Sequence, residues 1–382
     1  MKSNLFLEAL LVATAFTFGS CSSDSNENAP DVGEKTAQVQ LTLKGVADTR
    51  TDTQIPTQDA ENTINLYTVV IFNSDKTVNA IQSFDGTETA VNMSCKPATG
   101  CFGIVVANAP MKEYFAGVSN MAGFLAKTIA LGSAQTPGSL PMSGQILSSS
   151  SQTFTLNAGT NPVLTVTLSR LVARVSISSI KTDFNANGQY ANASFTPKNI
   201  FIRNAQSVVI PNTGDVSTTA PTSPSFLKGN YTGFTAGESY LTGDASDATE
   251  MKATSASYTK NFWFYLFPNA SESKRTALVI EGIFKANSSD TQGTTVYYPI
   301  IINKTQLNTT IKENKNGTVT TVNGTSDPRL GSIDRNKTYA LTAIIRTIGI
   351  TDPDGTIDPA SLSLEVTVAD WALKTTQDVE LN

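Results

Sequence analysis

Short runs of alternating apolar and polar residues recur along the chain and reach almost to both ends. Near the N-terminus, apolar side chains stand at every second position, at Val39, Leu41 and Leu43. Near the C-terminus the same pattern returns at Leu362, Leu364, Val366 and Val368. A period of two residues is typical of a β-strand with one buried face. The pattern therefore predicts one strand close to each end of the chain.

The body of the chain also reads as short strands, rich in Val, Ile, Thr and Phe and separated by turn residues. The predicted strands are 64–72, 101–107, 152–156, 163–168, 171–178, 199–203, 207–210, 262–267, 277–284, 296–302 and 338–346. Residues 111–131 have apolar spacing close to that of a helix, although Gly117 and Gly123 weaken it. Residues 211–257 and 303–329 are polar and predict long loops.

These elements predict an all-β protein with minor α content. The chain has 382 residues, and one core rarely serves more than about 250–300 residues. We therefore expect two β-sandwich domains in tandem, divided near Leu168: an N-terminal sandwich at 51–168 and a C-terminal sandwich at 169–382.

Composition excludes several classes of function. Charged residues make up 15% of the chain and the net charge is −5, which argues against a nucleic-acid partner because phosphate binding needs clustered Lys and Arg. The chain has no histidine, so Ser-His-Asp and Cys-His catalysis are excluded. An enzyme would need paired carboxylates, and Asp244, Asp247 and Glu250 cluster in a loop without a supporting pattern. We predict a protein that is not an enzyme and has no cofactor.

The N-terminus resembles an export signal. Lys2 precedes a mostly apolar stretch at 5–18 that is too short to span a membrane, and Phe18-Gly-Ser-Cys21 follows. Small residues before a cysteine resemble a bacterial lipobox, which predicts a lipoprotein signal peptide at 1–20 and lipidation of Cys21. The alternative is an ordinary signal peptide with an incidental cysteine.

Cys95 and Cys101 flank a turn-prone insert of five residues. A strand, turn and strand here could bring the two within bridging distance, and export would permit a disulfide. The alternative is a pair of buried free thiols. Two thiols without histidine do not predict a metal site.

Taken in order, several segments resemble the fimbrillins of Bacteroidales, the major fimbrial subunit family of type V pili. The resemblance rests on the lipobox before Cys21, the strand at Val39, Leu41 and Leu43 followed by Arg50, and the segments 105–108, 171–174, 333–339 and 366–371. The last of these has the pattern Val-x-Val-x-x-Trp and ends at Trp371. The segments extend over nearly the whole chain.

The resemblance implies a fold, a location and a mechanism. The two sandwiches would be transthyretin-like, and the precursor would pass through the lipoprotein export machinery to the outer membrane, anchored by palmitate. An Arg-specific protease would then remove the first strand, leaving a groove in the N-terminal domain. The C-terminal segment of an identical or related subunit would fill the groove, so that a fimbrium for adhesion grows on the cell surface. Its surface receptor is unknown.

The implied cleavage falls between Arg50 and Thr51, so that residues 21–50 would hold the lipidated tether and the cleavable first strand. Arg50 is the first arginine of the chain and Arg170 the second, and the polar surroundings of Arg50 predict exposure to a protease. An ordinary linker arginine is the alternative.

The donor strand would comprise Leu362, Leu364, Val366, Val368 and Trp371, and residues 374–382 could add a second short strand. Alternatively, the terminal strand is simply the last strand of its own sandwich. Trp371 would then pack on that domain or anchor the docked donor.

Two further hypotheses compete with a shaft subunit. A tip or anchor role within a fimbrium is one, although no added ligand-binding domain is evident. A surface lipoprotein that binds glycans or host proteins is the other, with an aromatic platform from Trp263, Tyr265, Tyr297 and Tyr298. These four residues lie within alternating strands, which favours packing in the core.

Overall fold

We analysed a computed structural model of the chain. It describes residues 36–44, 58–159, 161, 163–214, 216–304, 309–315, 318–322, 331–357 and 361–371. Within these residues, no helix is long and apolar enough to cross a membrane. The predicted signal peptide, lipidated tether and cleavage site all lie outside the described residues.

The described residues of the first half form ten strands. They are β1 Ala37–Lys44, β2 Leu66–Phe72, β3 Val78–Asp85, β4 Ala90–Cys95, β5 Ala98–Ala107, β6 Ile129–Ala130, β7 Met142–Ser148, β8 Phe154–Leu156, β9 Leu164–Thr167 and β10 Ser169–Arg170. Helix α1 is Gln58–Glu61, helix α2 is Met121–Leu125, and short 3-10 helices lie at Leu131–Ala134 and Pro137–Ser139.

The second half contributes thirteen strands. They are β11 Ala173–Thr182, β12 Ser194–Arg203, β13 Ala205–Gln206, β14 Val208–Val209, β15 Phe226–Leu227, β16 Thr242–Asp244, β17 Phe262–Leu266, β18 Ala277–Lys285, β19 Thr294–Ile301, β20 Thr309–Lys315, β21 Thr318–Val322, β22 Lys337–Ile345 and β23 Leu362–Asp370. Helix α3 is Val216–Thr219, and a 3-10 helix lies at Ser239–Leu241.

Nine of these ten strands form one sheet, and β6 pairs with β14 instead. Its order is β3-β2-β5-β7-β9-β1-β4, with β10 beside β7 and β8 beside β5. Inward-facing residues of β1, β2, β4, β5, β7 and β9 share one apolar core, so the two ends of the sheet lie on opposite sides of that core. Residues of β2 and β5 that face the other way pack under the segment that contains Phe115 and Phe124.

Two sheets of the second half face each other across a larger core. The six-stranded sheet has the order β17-β11-β22-β23-β20-β21, and the four-stranded sheet has the order β16-β12-β18-β19. Alternate residues of both enter the same core, among them Val175, Leu341, Ile200 and Ile280. The predicted all-β fold is confirmed.

The helix predicted over residues 111–131 is mostly wrong. Only Met121–Leu125 is helical in that stretch, and Asn120 caps it by accepting a hydrogen bond from the Gly123 amide. Gly117 has a φ of 78°, a left-handed conformation that stops a helix at this point. The apolar side chains there cover the outer face of β2 and β5 instead.

Arg335 joins the two halves of the chain. This buried side chain donates hydrogen bonds to the Arg170 carbonyl at 3.0 Å, the Ser143 hydroxyl at 3.0 Å, the Asn212 carbonyl at 2.9 Å, the Ser143 carbonyl at 3.2 Å and the Ser169 carbonyl at 2.5 Å. Burial lowers the pKa of its guanidinium to about 10, so the group stays charged at neutral pH. One side chain from the second half thus satisfies four oxygens of strands β7 and β10 and one of the loop after β14.

Replacement of Arg335 by alanine is expected to lower the free energy of unfolding by about 2–4 kcal/mol, because it leaves several buried acceptors without donors. Arg346→Ala serves as the control, since the Arg346–Asp183 ion pair is half exposed and should contribute at most about 1 kcal/mol. Urea unfolding followed by circular dichroism measures both. Equal effects for the two variants would contradict a joining role for Arg335.

Candidate functional site

The first strand, β1, lies inside its sheet rather than at an edge. It pairs antiparallel with β4, where Val39 is opposite Met93, and parallel with β9, where Leu41 is opposite Leu164. Ala37, Val39 and Leu41 are at most 2% exposed, whereas Gln38 and Gln40 face solvent. Loss of β1 would therefore open a groove lined by apolar side chains and bounded by two unpaired strand edges.

The terminal strand, β23, also lies inside a sheet. It pairs antiparallel with β22 along its whole length and parallel with β20. Leu362, Leu364 and Val366 are buried and Val368 is half-buried. In the single chain, the terminal strand is thus part of the second half's own core, which is one of the two arrangements that the sequence left open.

Strands β1 and β23 occupy equivalent settings. Each has one antiparallel and one parallel neighbour, and each buries every second side chain along most of its length. Antiparallel and parallel ladders place their hydrogen bonds differently. A strand with the pairing pattern of β23 consequently has the donors and acceptors that the place of β1 requires.

Trp371 follows β23 directly and is 3% exposed. Its ring lies under two guanidinium groups, with its centroid 4.3 Å from Cζ of Arg170 and 5.1 Å from Cζ of Arg174. The Tyr265 ring stacks on it at 5.9 Å with an interplanar angle of 8°. The Trp371 amide donates to the Asn336 carbonyl at 2.9 Å, and the Trp371 carbonyl accepts from Nη1 of Arg170 at 2.9 Å. The end of the terminal strand is therefore held through both its ring and its backbone.

A buried carboxylate completes this arrangement. Glu61 of α1 is fully buried and accepts two hydrogen bonds from Nη1 of Arg174, at 2.8 Å and 3.0 Å. The Tyr265 hydroxyl donates to the same carboxylate at 2.7 Å, and Nε of Arg170 donates to the Glu61 carbonyl at 3.2 Å. We call Glu61, Arg170, Arg174, Tyr265 and Trp371 the Trp371 clamp.

The clamp concentrates charge in a largely buried place, where only Arg174 is partly exposed. Burial lowers the pKa of Arg170 to about 10, and the Glu61 carboxylate partly offsets that shift. Burial, followed by the charge of Glu61, raises the pKa of Tyr265 well above its usual value, so its hydroxyl stays protonated and donates. One carboxylate faces two guanidinium groups here, and the electron-rich face of Trp371 adds favourable electrostatics for both.

The sequence pointed to part of the clamp only. Trp371 and Arg174 stand in segments that carried the family resemblance, but Glu61 and Tyr265 were not predicted as partners. Glu61 lies in the polar stretch Gln58-Asp-Ala-Glu61, which gives no sign of burial.

Cys95 and Cys101 are free thiols in the structure. Both are buried in the core of the first half. Burial raises the pKa of Cys95 to about 11, with a further contribution from Cys101, and burial also raises the pKa of Cys101. The disulfide stays a prediction for the exported protein in an oxidising environment.

The proposed aromatic platform does not form as one surface. Tyr265, Tyr297 and Tyr298 are at most 5% exposed and contribute to cores, whereas Trp263 is 39% exposed. The acidic residues considered for catalysis are paired with lysines at the surface: Asp247 with Lys260 at 3.0 Å and Glu250 with Lys285 at 3.2 Å. Neither group of residues builds a site in the described part of the chain.

Three of the predicted site residues lie outside the described residues: Cys21, Arg50 and Thr51. The displaced strand with Val39, Leu41 and Leu43 is described, as is the donor segment that ends at Trp371. Their roles in maturation and exchange stay predictions.

Comparison with known proteins shows which families and structures this chain resembles. Residues 37–188, from the first residue of β1 to beyond β11, match the model of a family described as major fimbrial subunit protein (FimA). This part of the chain is therefore similar to the FimA family. No curated protein matches the chain.

Solved structures of similar fold cover about nine-tenths of the chain. A fimbrilin from Porphyromonas gingivalis has a TM-score of 0.61 at 16% identity, covering 88% of this chain and 99% of that one. A candidate cell adhesion protein from Bacteroides eggerthii has a TM-score of 0.60 at 23% identity, covering 90% and 98%. One from Parabacteroides distasonis has a TM-score of 0.60 at 18% identity, covering 90% and 99%.

The predicted resemblance to fimbrillins is therefore confirmed. The FimA family is one of structural fimbrial subunits and not a family of enzymes. The match begins at Ala37, the first residue of β1, so β1 lies within the part of the chain that the family model covers.

The burial of the two cysteines generates a prediction. After reduction, Cys95 and Cys101 should react with an aromatic disulfide reagent at pH 8 at least 100-fold more slowly in the folded protein than in urea, because the thiolate is the reactive form and burial disfavours it. Absorbance during labelling measures the rates. Rapid labelling of the folded protein would contradict the burial of these thiols, and unreactive cysteines in urea before reduction would indicate the disulfide.

Proposed function

We propose that this chain is a structural subunit of a type V fimbria that polymerises by strand exchange. In this proposal the precursor is exported as a lipoprotein with lipid on Cys21. An Arg-specific protease cuts between Arg50 and Thr51 and releases β1, and the segment of β23 from another subunit takes its place. The shaft is the favoured position, since this chain has both a removable first strand and a terminal donor.

One observation supports the exchange above others: the equivalence of β1 and β23. Both lie between an antiparallel and a parallel neighbour, and both present aliphatic side chains at alternate positions. The four apolar residues of β23 match in number and spacing those that they would replace at Ala37, Val39, Leu41 and Leu43. A donor strand can thus restore both the core and the ladder.

The energetics favour exchange only after cleavage. A docked donor covers the apolar floor of the groove again, which contributes roughly 1.5–3 kcal/mol for each aliphatic side chain buried there before ordering costs, and the ladder fixes the register. The donor side chains leave the core of their own second half in the process. While β1 is covalently attached, its effective concentration exceeds that of a donor from another subunit. Removal of the covalent link lets β1 leave, and the donor then has no intramolecular competitor.

The burial of arginine supports cleavage at Arg50. Arg170, the next arginine along the chain, is fully buried in the Trp371 clamp, so a protease cannot reach it in the folded protein. An Arg-specific protease that acts on the first 169 residues has Arg50 as its sole target in the sequence. Cleavage there would remove β1 and leave α1 and everything after it in place.

The partners in this proposal are identical or related fimbrial subunits, the lipoprotein export machinery and the Arg-specific protease. The outer membrane holds the precursor through its lipid, and the mature subunit is part of a fimbrium on the cell surface. A donor at one end of the chain and an acceptor at the other make a heterologous contact, which propagates as an open filament. Adhesion, the role named for the similar proteins of Bacteroides and Parabacteroides, would follow from that filament.

Treatment of the purified precursor with an Arg-specific endoproteinase is expected to expose Thr51 as a new N-terminus. It should also yield ladders that resist sodium dodecyl sulfate, because each donor strand is held by a full ladder of hydrogen bonds and a buried apolar face. Mass spectrometry and gel electrophoresis measure the two results. The Arg50→Gln variant is the control and should stay monomeric. A trimmed wild-type protein that remains monomeric would refute strand exchange.

A synthetic peptide of residues 362–371 should stop ladder growth when present in excess during trimming, because it would fill the groove and has no body to extend the filament. The matched control is the same peptide with Leu364→Asn and Val366→Asn, which keeps the backbone but loses the apolar face. Densitometry of the ladders gives the result. Ladders of unchanged length at every peptide concentration would argue against β23 as the donor.

A further inference from the structure

The end of the terminal strand makes contacts beyond its ladder and its aliphatic burial. The place of β1 offers two strand edges and an apolar floor, which match the ladder and the aliphatic side chains of β23. The partners of Trp371, in contrast, lie in the chain's own body: Arg170, Arg174 and Tyr265. A strand that moves to another subunit must therefore first leave the clamp of its own body.

The clamp connects the terminal strand to the first half of the chain. Arg170 belongs to β10 and donates one hydrogen bond to the Glu61 carbonyl and another to the Trp371 carbonyl. Glu61 in turn binds Arg174 and Tyr265 through its carboxylate. Withdrawal of Trp371 would thus remove the aromatic face from two buried guanidinium groups and a hydrogen-bond acceptor from Arg170.

The indole N–H of Trp371 has no hydrogen-bond partner within the described residues. The contacts of this side chain therefore do not depend on its N–H group. Its attraction to the site consists of the cation–π contacts, the stacking on Tyr265 and the burial of its ring. Cation–π contacts are strongest where the partners are desolvated, as Arg170 and Trp371 are. The ring accordingly holds the strand together with the two backbone hydrogen bonds of residue 371, and it is the part that a substitution removes.

We propose that the Trp371 clamp is an autoinhibitory latch, which retains β23 in its own sheet and limits the rate at which this strand becomes available to a second copy of the chain. The inference rests on the proposed strand exchange. Departure of β23 also breaks its pairing with β22 and β20, and the clamp adds a barrier at the end of the strand, where Arg170, Arg174 and Tyr265 hold Trp371. It keeps the unassembled subunit closed and makes release of the donor the slow step of assembly.

The test uses the full precursor with Trp371→Leu and Glu61→Gln. The first removes the ring, and the second is a milder change that keeps the size of the side chain but leaves Arg174 without its carboxylate. Trp263→Leu is the matched control, since Trp263 is the other tryptophan of the chain and is partly exposed. Hydrogen exchange with mass spectrometry measures the opening of residues 362–370, with residues 277–285 of β18 as the internal reference for intact folding.

The latch predicts that exchange at residues 362–370 becomes about tenfold faster in Trp371→Leu, which corresponds to about 1.4 kcal/mol. The increase should be several-fold in Glu61→Gln and absent in Trp263→Leu, while β18 exchanges as before in all three. After trimming at Arg50, both clamp variants should form ladders faster than the wild type. Unchanged exchange at 362–370, or an equal increase at β18 in both clamp variants, would overturn the latch.

The same experiment separates the latch from strand exchange itself. Faster opening of 362–370 in the clamp variants, with no ladder from any trimmed protein, would support the latch as a lock on β23 and refute the proposed polymerisation. Ladders that form at the same rate in the wild type and both clamp variants would refute the latch and leave strand exchange standing.

Discussion

A strand inside a sheet can be replaced but not simply omitted, and β1 is such a strand. Its backbone satisfies the facing edges of β4 and β9, and its side chains at Ala37, Val39 and Leu41 close one core. Without it, two rows of backbone donors and acceptors and an apolar floor would meet water. The first half of this chain therefore depends on having some strand in this place, and any strand of matching polarity and spacing meets the need.

The terminal strand has that polarity and spacing, but it is already paired with β22 and β20 in its own sheet. It supplies Leu362, Leu364 and Val366 to the core of the second half, and Trp371 ties its end to Arg170 and Arg174. The Arg335 side chain, which joins the two halves independently of β23, keeps the junction intact. The contacts of Arg335 thus hold the subunit together, and they do not include β23, the strand that is proposed to be exchanged between subunits.

The amino-acid sequence predicted most strands and both of the functionally interesting ones, because half-buried strands alternate visibly. It failed where burial does not follow the residue type. The hairpin of β20 and β21 lies in a segment of Thr, Lys, Asn and Glu that reads as a loop, and its pairing with β23 supplies the hydrogen bonds that the composition does not reveal. Glu61 is fully buried although its neighbours are polar, and its position next to Arg174 depends on contacts more than a hundred residues apart. Parallel pairing of β1 with β9 likewise has no local signature.

The central claim is that β23 of one subunit takes the place of β1 in the next. Determination of the structure of the filament formed by the Arg50-trimmed protein tests it most directly, since both places are resolved in a single experiment. The account predicts that residues 362–370 of each subunit lie between β4 and β9 of a neighbour, parallel to β9. A filament in which residues 362–370 still lie between β22 and β20 of their own subunit would contradict it.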